Sequence, residues 1–394
     1  MGGRHPNMEP GDYAVVEDPA TGRLVSASCL ISYTIELEGI SLPFGRPEVV
    51  ATHPAYRNRG LVRAIFELLH ARSEARGQVV QGITGIPYYY KLFGYEYAAD
   101  LGGERSVPFA AVPPLKAGET EPYTLRPVTA ADLPLVRELY DQDRARYGAS
   151  TRIEDAYWCW LLTGLNKRSG EGWTPRLIVD AAGTVVGYVL TGNSRETDEV
   201  SVRGMGVRAG VSLAAVVPSL LRAMVAVAAE PLPRRSATPV PGRVCFALFR
   251  DHPAYRVLGE NQVSRATRPY AWYLRVAHLP AFVTRIHEVL ERRLAASPMA
   301  GHTGELRLTF YPAGLKLAFE DGRLVTAEDW REDHAWGPRS MAGFPPGVFL
   351  RLLFGYRSLS ELRDAYPDVQ TNDEARPLLE ALFPPRPTWI LPLD

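Results

Sequence analysis

Cysteine is scarce in this chain of 394 residues: Cys29, Cys159 and Cys245 lie far apart, and an odd number cannot all pair. That excludes a disulfide framework, fits a reducing compartment and predicts buried roles as small apolar side chains. Net charge is lacking too, with 44 Lys and Arg against 44 Asp and Glu. Bulk attraction to nucleic acid or to an anionic membrane is therefore not expected. No apolar run approaches the roughly twenty residues that span a bilayer, and no charged-then-apolar leader opens the chain. The expectation is a soluble, cytoplasmic protein. The histidines are scattered without metal-ligand spacing, so no metal is expected. Low-complexity stretches are missing, although 34 Gly and 33 Pro punctuate the chain into many short elements. The length exceeds what one core accommodates and allows two or three domains.

What is present centres on Val49-Val50-Ala51-Thr52-His53-Pro54-Ala55-Tyr56-Arg57-Asn58-Arg59-Gly60-Leu61-Val62-Arg63. A β-branched run predicts a strand, a His-Pro turn follows, and apolar residues at Leu61, Ile65, Leu68 and Leu69 predict a helix. A helix start offers N–H groups without internal partners and the positive end of the dipole, and Gly60 admits a ligand to the backbone. This arrangement suits a pyrophosphate. Arg57, Arg59 and Arg63 read either as solvated charges or as phosphate contacts, and their place at a helix start favours the second. His53 reads as a turn residue.

The spacing Arg57-x-x-Gly60-x-Val62 resembles the acyl-CoA loop of the GNAT N-acetyltransferases, with Val62 departing from the small residue usual there. Further on, Gly85-Ile86-Pro87-Tyr88-Tyr89-Tyr90-Lys91-Leu92-Phe93-Gly94-Tyr95-Glu96 resembles the second GNAT signature, a splayed strand followed by Tyr-x-x-Phe-Gly-Tyr. Order, separation and the intervening helix all agree.

Along the chain, 13–16 and 24–32 read as a β-hairpin, 34–38 and 48–52 as further strands, 61–76 as a helix and 79–84 as a strand. The Pro-rich 108–118 reads as a linker. A second unit opens at Thr124, with Thr129 as a helix N-cap. Residues 176–188 repeat the opening hairpin, and Cys245-Phe246-Ala247-Leu248 with His252-Pro253-Ala254-Tyr255-Arg256-Val257-Leu258-Gly259 echo the strand and Tyr90 turn. This internal repeat predicts two copies of one α/β fold. The second copy lacks the basic loop, having Val207-Arg208-Ala209-Gly210-Val211-Ser212 instead. It reads as a degenerate acyltransferase domain kept for packing. In the first copy only residues 1–12 precede the hairpin, so its first strand and helices are expected to be missing. A third unit, from about 277, combines a helix over 279–294, strands at 305–311, 314–320 and 323–327, helices at 349–353 and 359–365, and an apolar strand-like tail.

The whole is similar to the Eis-like (enhanced intracellular survival) acetyltransferases. The resemblance implies an α/β (α+β) architecture: a catalytic GNAT domain over 1–115, a degenerate GNAT-like domain over 120–275, and a sterol-carrier-protein-like α+β domain over 276–394. It implies acetyl-CoA as the acyl donor, a primary amine (aminoglycoside, polyamine or lysine side chain) as acceptor, and a homo-hexamer. Val50, Ala51 and Thr52 would line the pantetheine arm. Arg57, Asn58, Arg59, Gly60, Leu61, Val62 and Arg63 would hold the pyrophosphate, and Gly85 and Ile86 would flank the cofactor. Tyr90 would be the general acid and the terminal carboxylate of Asp394 the general base.

Elementary chemistry fits these roles. An alkylamine of pKa about 10.4 needs a base at neutral pH, and a departing thiolate needs a donor that stays protonated, as a phenol does. An α-carboxylate is a feeble base unless burial raises it, which an inward-tucked Ile390-Leu391-Pro392-Leu393-Asp394 tail could provide. Glu48 or water is the alternative base. Tyr157, Trp158, Trp160 and Trp173 read as core or as acceptor-cleft walls. A different class, a non-catalytic acyl-CoA or lipid-binding scaffold, remains open at this level.

Overall fold

The computed structural model describes residues 5–166, 172–193, 197–230, 240–332 and 339–393. Its first elements are β1 (Tyr13–Asp18), β2 (Arg23–Leu37), β3 (Ile40–Thr52), α1 (Leu61–Ala75), β4 (Val80–Ile83), β5 (Glu96–Leu101) and β6 (Glu104–Pro108). Apolar and polar residues alternate from Ile31 to Leu37, burying every second side chain, so 23–37 is one strand and not the two that the sequence implied. Ile65, Phe66 and Leu69 turn one face of α1 onto the sheet, and a left-handed Gly60 starts the helix.

The next elements are β7 (Tyr123–Pro127), α2 (Leu133–Arg144), β8 (Ala149–Arg152), α3 (Asp155–Thr163), β9 (Trp173–Asp180), β10 (Val185–Gly192), β11 (Glu199–Val207), α4 (Leu213–Ala228), β12 (Arg243–Ala247), β13 (Arg265–Ala266) and β14 (Tyr270–Arg275). Thr129 opens this unit with a reciprocal capping box to Asp132. The remainder comprises α5 (Leu279–Arg285), α6 (His287–Ala295), β15 (Gly304–Thr309), β16 (Gly314–Glu320), β17 (Arg323–Asp329), β18 (Ala342–Gly343), α7 (Phe349–Leu353), α8 (Leu359–Ala365), β19 (Gln370–Thr371), α9 (Ala375–Leu382) and β20 (Thr388–Trp389).

Three sheets result, in a mixed α/β architecture. The first runs β20-β8-β2-β3-β4-β14-β5 with β1 beside the first half of β2, the second β13-β6-β12-β11-β10-β9-β7, and the third β17-β16-β15-β18-β19. Two strands cross between the first two units. β6 pairs with β12 (Val107 opposite Val244), and β14 sits between β4 and β5, with Leu274 opposite both Gly82 and Glu96. Sheet limits therefore do not fall at 115 and 275, because each of these strands completes the sheet of the other unit. The outer edge of β2 is taken by β1 and then by β8, and β20 pairs with the far side of β8.

One apolar core joins the units, running from Phe44 and Trp272 through Tyr140 and Trp158 to Phe349 and Leu379. Tyr157 and Trp158 are core residues. Cys29 and Cys245 are buried as expected, while Cys159 is exposed on α3. Among the described residues no helix is long and apolar enough to cross a membrane.

Three buried titratable groups set an opposing pH response. Burial holds His70 and His252 down at about 4. Burial also pushes Asp143 up to about 6, against the pull of Arg146 and the Tyr188 hydroxyl. A histidine lowered in the fold contributes fully above its free value of 6.5, and its contribution is lost as pH falls towards 4. A raised aspartate does the reverse, contributing most below its free value of 3.8 and losing that as pH rises through 6. Two histidines outweigh one aspartate, so stability falls between pH 6.5 and 4. Asp143→Asn removes the opposing contribution and makes that fall steeper. Urea midpoints at the two ends of this range check it; a shallower fall in the variant contradicts the assignment.

Candidate functional site

β3 and β4 run parallel but pair only at Phe44 with Val80 and Gly45 with Gln81. Beyond that point β3 stays with β2, and β4 turns to β14, so the two strands open into a V. A bulge strengthens the divergence: Ala27 faces Ala51 but Cys29 faces Glu48, with Val49 at φ 55°. The Ser28 and Ser26 hydroxyls donate to the carbonyls of Glu48 (2.8 Å) and Ala51 (2.9 Å) on the β2 side. Among the described residues, the inner edge of β3 has no strand partner over Val50, Ala51 and Thr52.

At the mouth of the V the chain makes a short 3-10 turn over Pro54–Tyr56. His53 is its cap, accepting the Ala55 N–H at Nδ1 (3.3 Å). The Tyr56 hydroxyl ties the turn down through Asp18 (2.6 Å), and the Arg59 guanidinium lies 4.9 Å over the Tyr56 ring. Asn58 and Gly60 both adopt positive φ, 62° and 75°, which curls the backbone into a concave run of amides. The first helical bond is Ala64 N–H to the Gly60 carbonyl (3.1 Å), so the amides of Leu61, Val62 and Arg63 point out of the helix end. Arg57, Asn58, Arg59, Gly60 and Arg63 are exposed. Val62, the departure from the usual small residue, packs against the Phe66–Tyr90 aromatic cluster, away from the amides.

The opposite wall follows β4. Gly85, at φ 117°, sits where an added Cβ would be 3.9 Å from the Tyr90 ring. The carbonyls of Gly85 and Ile86 are held by the Tyr270 and Tyr273 hydroxyls, each at 3.1 Å. Tyr97 joins the pair, 2.9 Å from the Tyr270 hydroxyl and 2.6 Å from that of Tyr273. Sequence reasoning missed all three tyrosines. Two stand on β14, nearly two hundred residues from Gly85, and only the strand exchange brings them there.

Tyr90 lies in the 3-10 turn Tyr89–Phe93 and is 4 % exposed. Its ring stacks on Phe66 (5.8 Å) and meets Tyr273 edge-on (5.4 Å). Among the described residues none hydrogen-bonds its hydroxyl, and burial, then the Glu48 charge, then Tyr89 push the phenol up to about 12. Tyr95 is buried in the same aromatic cluster, its hydroxyl 3.0 Å from His70 Nε2.

Glu48 is engaged: it pairs with the buried Arg46 and accepts the Val49 N–H (3.2 Å). Arg46 stands 5.4 Å over the ring of Trp272, whose indole N–H donates to the Ile390 carbonyl (2.9 Å). The C-terminal tail thus passes beside the V. Thr151 holds the Leu391 carbonyl (2.9 Å), and Leu391 and Leu393 are buried. Asp394 lies outside the described residues. Next to the tail a cavity of about 370 Å³ opens between the splayed ends of the first two sheets, lined by Tyr270, Trp173, Phe249, Arg203, Arg268 and Pro392. Trp160 lies away from this cavity, against Tyr157 and His5.

In the second unit the parallel pair β11 and β12 also ends early, at Val202 with Phe246, but the groups beside it are engaged. Its Tyr255 hydroxyl accepts the Leu248 N–H (2.8 Å) and contacts the carbonyls of Gly103 (2.5 Å) and Phe246 (2.9 Å). Its Val211 N–H is spent on the Arg208 carbonyl (3.1 Å). Glu104, Glu199 and Cys245 gather their ligand atoms within 4.8 Å in this sheet, but burial and both carboxylates push the thiol up to about 12, which keeps it protonated.

Residues 3–98 match the model of the acetyltransferase (GNAT) domain. The chain is an acyltransferase with a GNAT domain at its start. No curated protein matches the chain significantly. Solved structures similar to it include the GCN5-related N-acetyltransferase of Anabaena variabilis, with 16 % identity, 96 % of this chain and 89 % of that chain covered, and a TM-score of 0.65. The GCN5-related N-acetyltransferase of Kribbella flavida follows at 18 % identity, 95 % and 85 % coverage and 0.63. Eis1 of Mycobacterium abscessus shares 16 % identity over 97 % and 91 %, at 0.56. At such identities the likeness concerns the fold. The acyltransferase therefore shares a multi-domain arrangement with proteins of this kind, and its V and amide-lined loop lie in or beside the matched segment.

Proposed function

We propose that this protein transfers the acetyl group of acetyl-CoA to a primary amine by direct attack. The observation that carries the reading is the pairing, on one V, of an amide-lined, arginine-flanked loop with a buried phenol that has no hydrogen-bond partner among the described residues. The amides of 59–63 suit a diphosphate, the unpaired edge of Val50, Ala51 and Thr52 suits an extended pantetheine, and Gly85 and Ile86 line the facing wall.

In this reaction the amine nitrogen bonds to the acyl carbon, the carbon–sulfur bond breaks, and the sulfur leaves as a thiolate that Tyr90 hydrogen-bonds and solvent water protonates. Tyr90, the proposed general acid, stays protonated across the neutral range. Since a phenol at about 12 is a weaker acid than a thiol near 8.5, its main contribution is a hydrogen bond to the developing sulfur charge. The amine proton goes to a base. The terminal carboxylate of Asp394 is the proposed one, supported by the tail's burial and its path beside Trp272 and Arg46. Glu48, already paired to Arg46, is the weaker choice. Aminoglycosides, polyamines and lysine side chains are the starting acceptors. A sterol-carrier-like third unit, a hexamer and a cytoplasmic location belong to the same proposal.

Thiol release from acetyl-CoA in the presence of these amines tests the function. Amine-dependent release is expected. Cofactor binding without turnover for any amine favours the scaffold alternative instead.

A further inference from the structure

We propose that the acceptor amine also carries an anionic group, a carboxylate or a phosphate, and that Arg203 and Arg268 seat that group in the cavity beside the tail. This rests on the acetyl-transfer reading and narrows its acceptor.

The cavity adjoins the reacting end of the V, because its Tyr270 wall hydrogen-bonds the Gly85 carbonyl at 3.1 Å. Arg203 enters where β11 leaves β12, one residue past the last pair, Val202 with Phe246. Arg268 enters from the segment just before β14. Both are exposed, and among the described residues neither has an ion-pair or hydrogen-bond partner, although Arg203 stands close enough to Cys245 to pull its thiol down. Nearby arginines are otherwise matched: Arg250 with Asp100 (2.7 Å), Arg176 with Glu230 (2.6 Å), Arg265 with Glu199 (3.9 Å). Glu104 is the one acid among the described lining residues, and its carboxylate is drawn into the group with Glu199 and Cys245.

Two guanidinium groups without an ion-pair partner among the described residues, facing a small space, favour an anion, whose oxygens take paired N–H donors. They disfavour a polycation. Trp173 and Phe249 add apolar wall for a short carbon chain, and about 370 Å³ suits a molecule of amino-acid to dipeptide size. The acceptors that fit are therefore ω-amino acids, short peptides with a free carboxylate, or aminoalkyl phosphates, ahead of spermidine or an aminoglycoside.

The test compares γ-aminobutyrate, γ-aminobutyramide, O-phosphoethanolamine and spermidine, using thiol release and equilibrium binding to the CoA-loaded protein. The anionic amines are expected to exceed the amide and spermidine at least tenfold in kcat/KM, mostly through KM, or in affinity. Arg203→Ala and Arg268→Ala should each shrink that preference at least fivefold, with melting temperatures unchanged because neither side chain has a partner to lose. A better rate with phosphoethanolamine than with γ-aminobutyrate assigns the anion as phosphate and also supports the proposal. Equal or better use of the amide or spermidine, a preference insensitive to both arginines, or no binding of any of the four overturns it. Failure to bind acetyl-CoA itself is a separate result and overturns the acetyl-transfer reading.

Discussion

Tyr90→Phe is expected to lower kcat about a hundredfold while changing the acetyl-CoA dissociation constant less than about twofold. The ring packs between Phe66 and Tyr273, and Phe reproduces that packing. No hydrogen bond within the described residues is lost, so the fold has no reason to respond. What disappears is the donor proposed for the developing sulfur charge. Because burial and Glu48 hold the phenol at about 12, the wild-type rate should show no alkaline decline from Tyr90 below about pH 10. Steady-state thiol release with a saturating amine, alongside calorimetric titration of acetyl-CoA, measures both quantities. An unchanged kcat removes Tyr90 from the reaction.

Trp389→Ala is expected to cost about 3–5 kcal/mol of stability. Trp389 is 2 % exposed, pairs in β20 with β8, and packs on Tyr140 (5.1 Å), Tyr147 (5.3 Å) and Phe249 (6.4 Å). These neighbours come from the second unit, so the indole fastens the tail in the joint between units. Its N–H has no partner among the described residues, so part of its burial is uncompensated. Trp389→Phe removes that donor along with some volume, and should cost well under half as much. Urea denaturation of the three proteins separates the cases. A loss below about 1 kcal/mol for the alanine variant means that the tail is not anchored through this residue.

The V and its loop were legible because their signals are local. A β-branched run, a His-Pro turn, two glycines and a Tyr-x-x-Phe-Gly segment each dictate backbone shape within a few residues. The Thr129 cap was legible for the same reason, and it forms with Asp132. The strand exchange was not. Neither 104–108 nor 270–275 was read as a strand, and which sheet completes its edge with them depends on contacts more than a hundred residues apart. The tyrosines of β14 and the Arg46–Trp272–Ile390 connection inherit that opacity. Residues 34–38 looked like a separate strand because Ser32 and Thr34 interrupt the apolar run, yet both are simply the outward residues of a 15-residue β2. Cys159 was expected inside; it falls on the exposed side of α3, whose inner face is already filled by Tyr157, Trp158 and Leu161.

The central claim is that the amides around Gly60 hold the coenzyme diphosphate and so bring the thioester to Tyr90. Crystals of the protein grown with acetyl-CoA test it most directly. The account predicts diphosphate oxygens within about 3 Å of the 59–63 amides and the acyl sulfur within reach of the Tyr90 hydroxyl. Nucleotide bound elsewhere on the protein, with that loop empty, contradicts it.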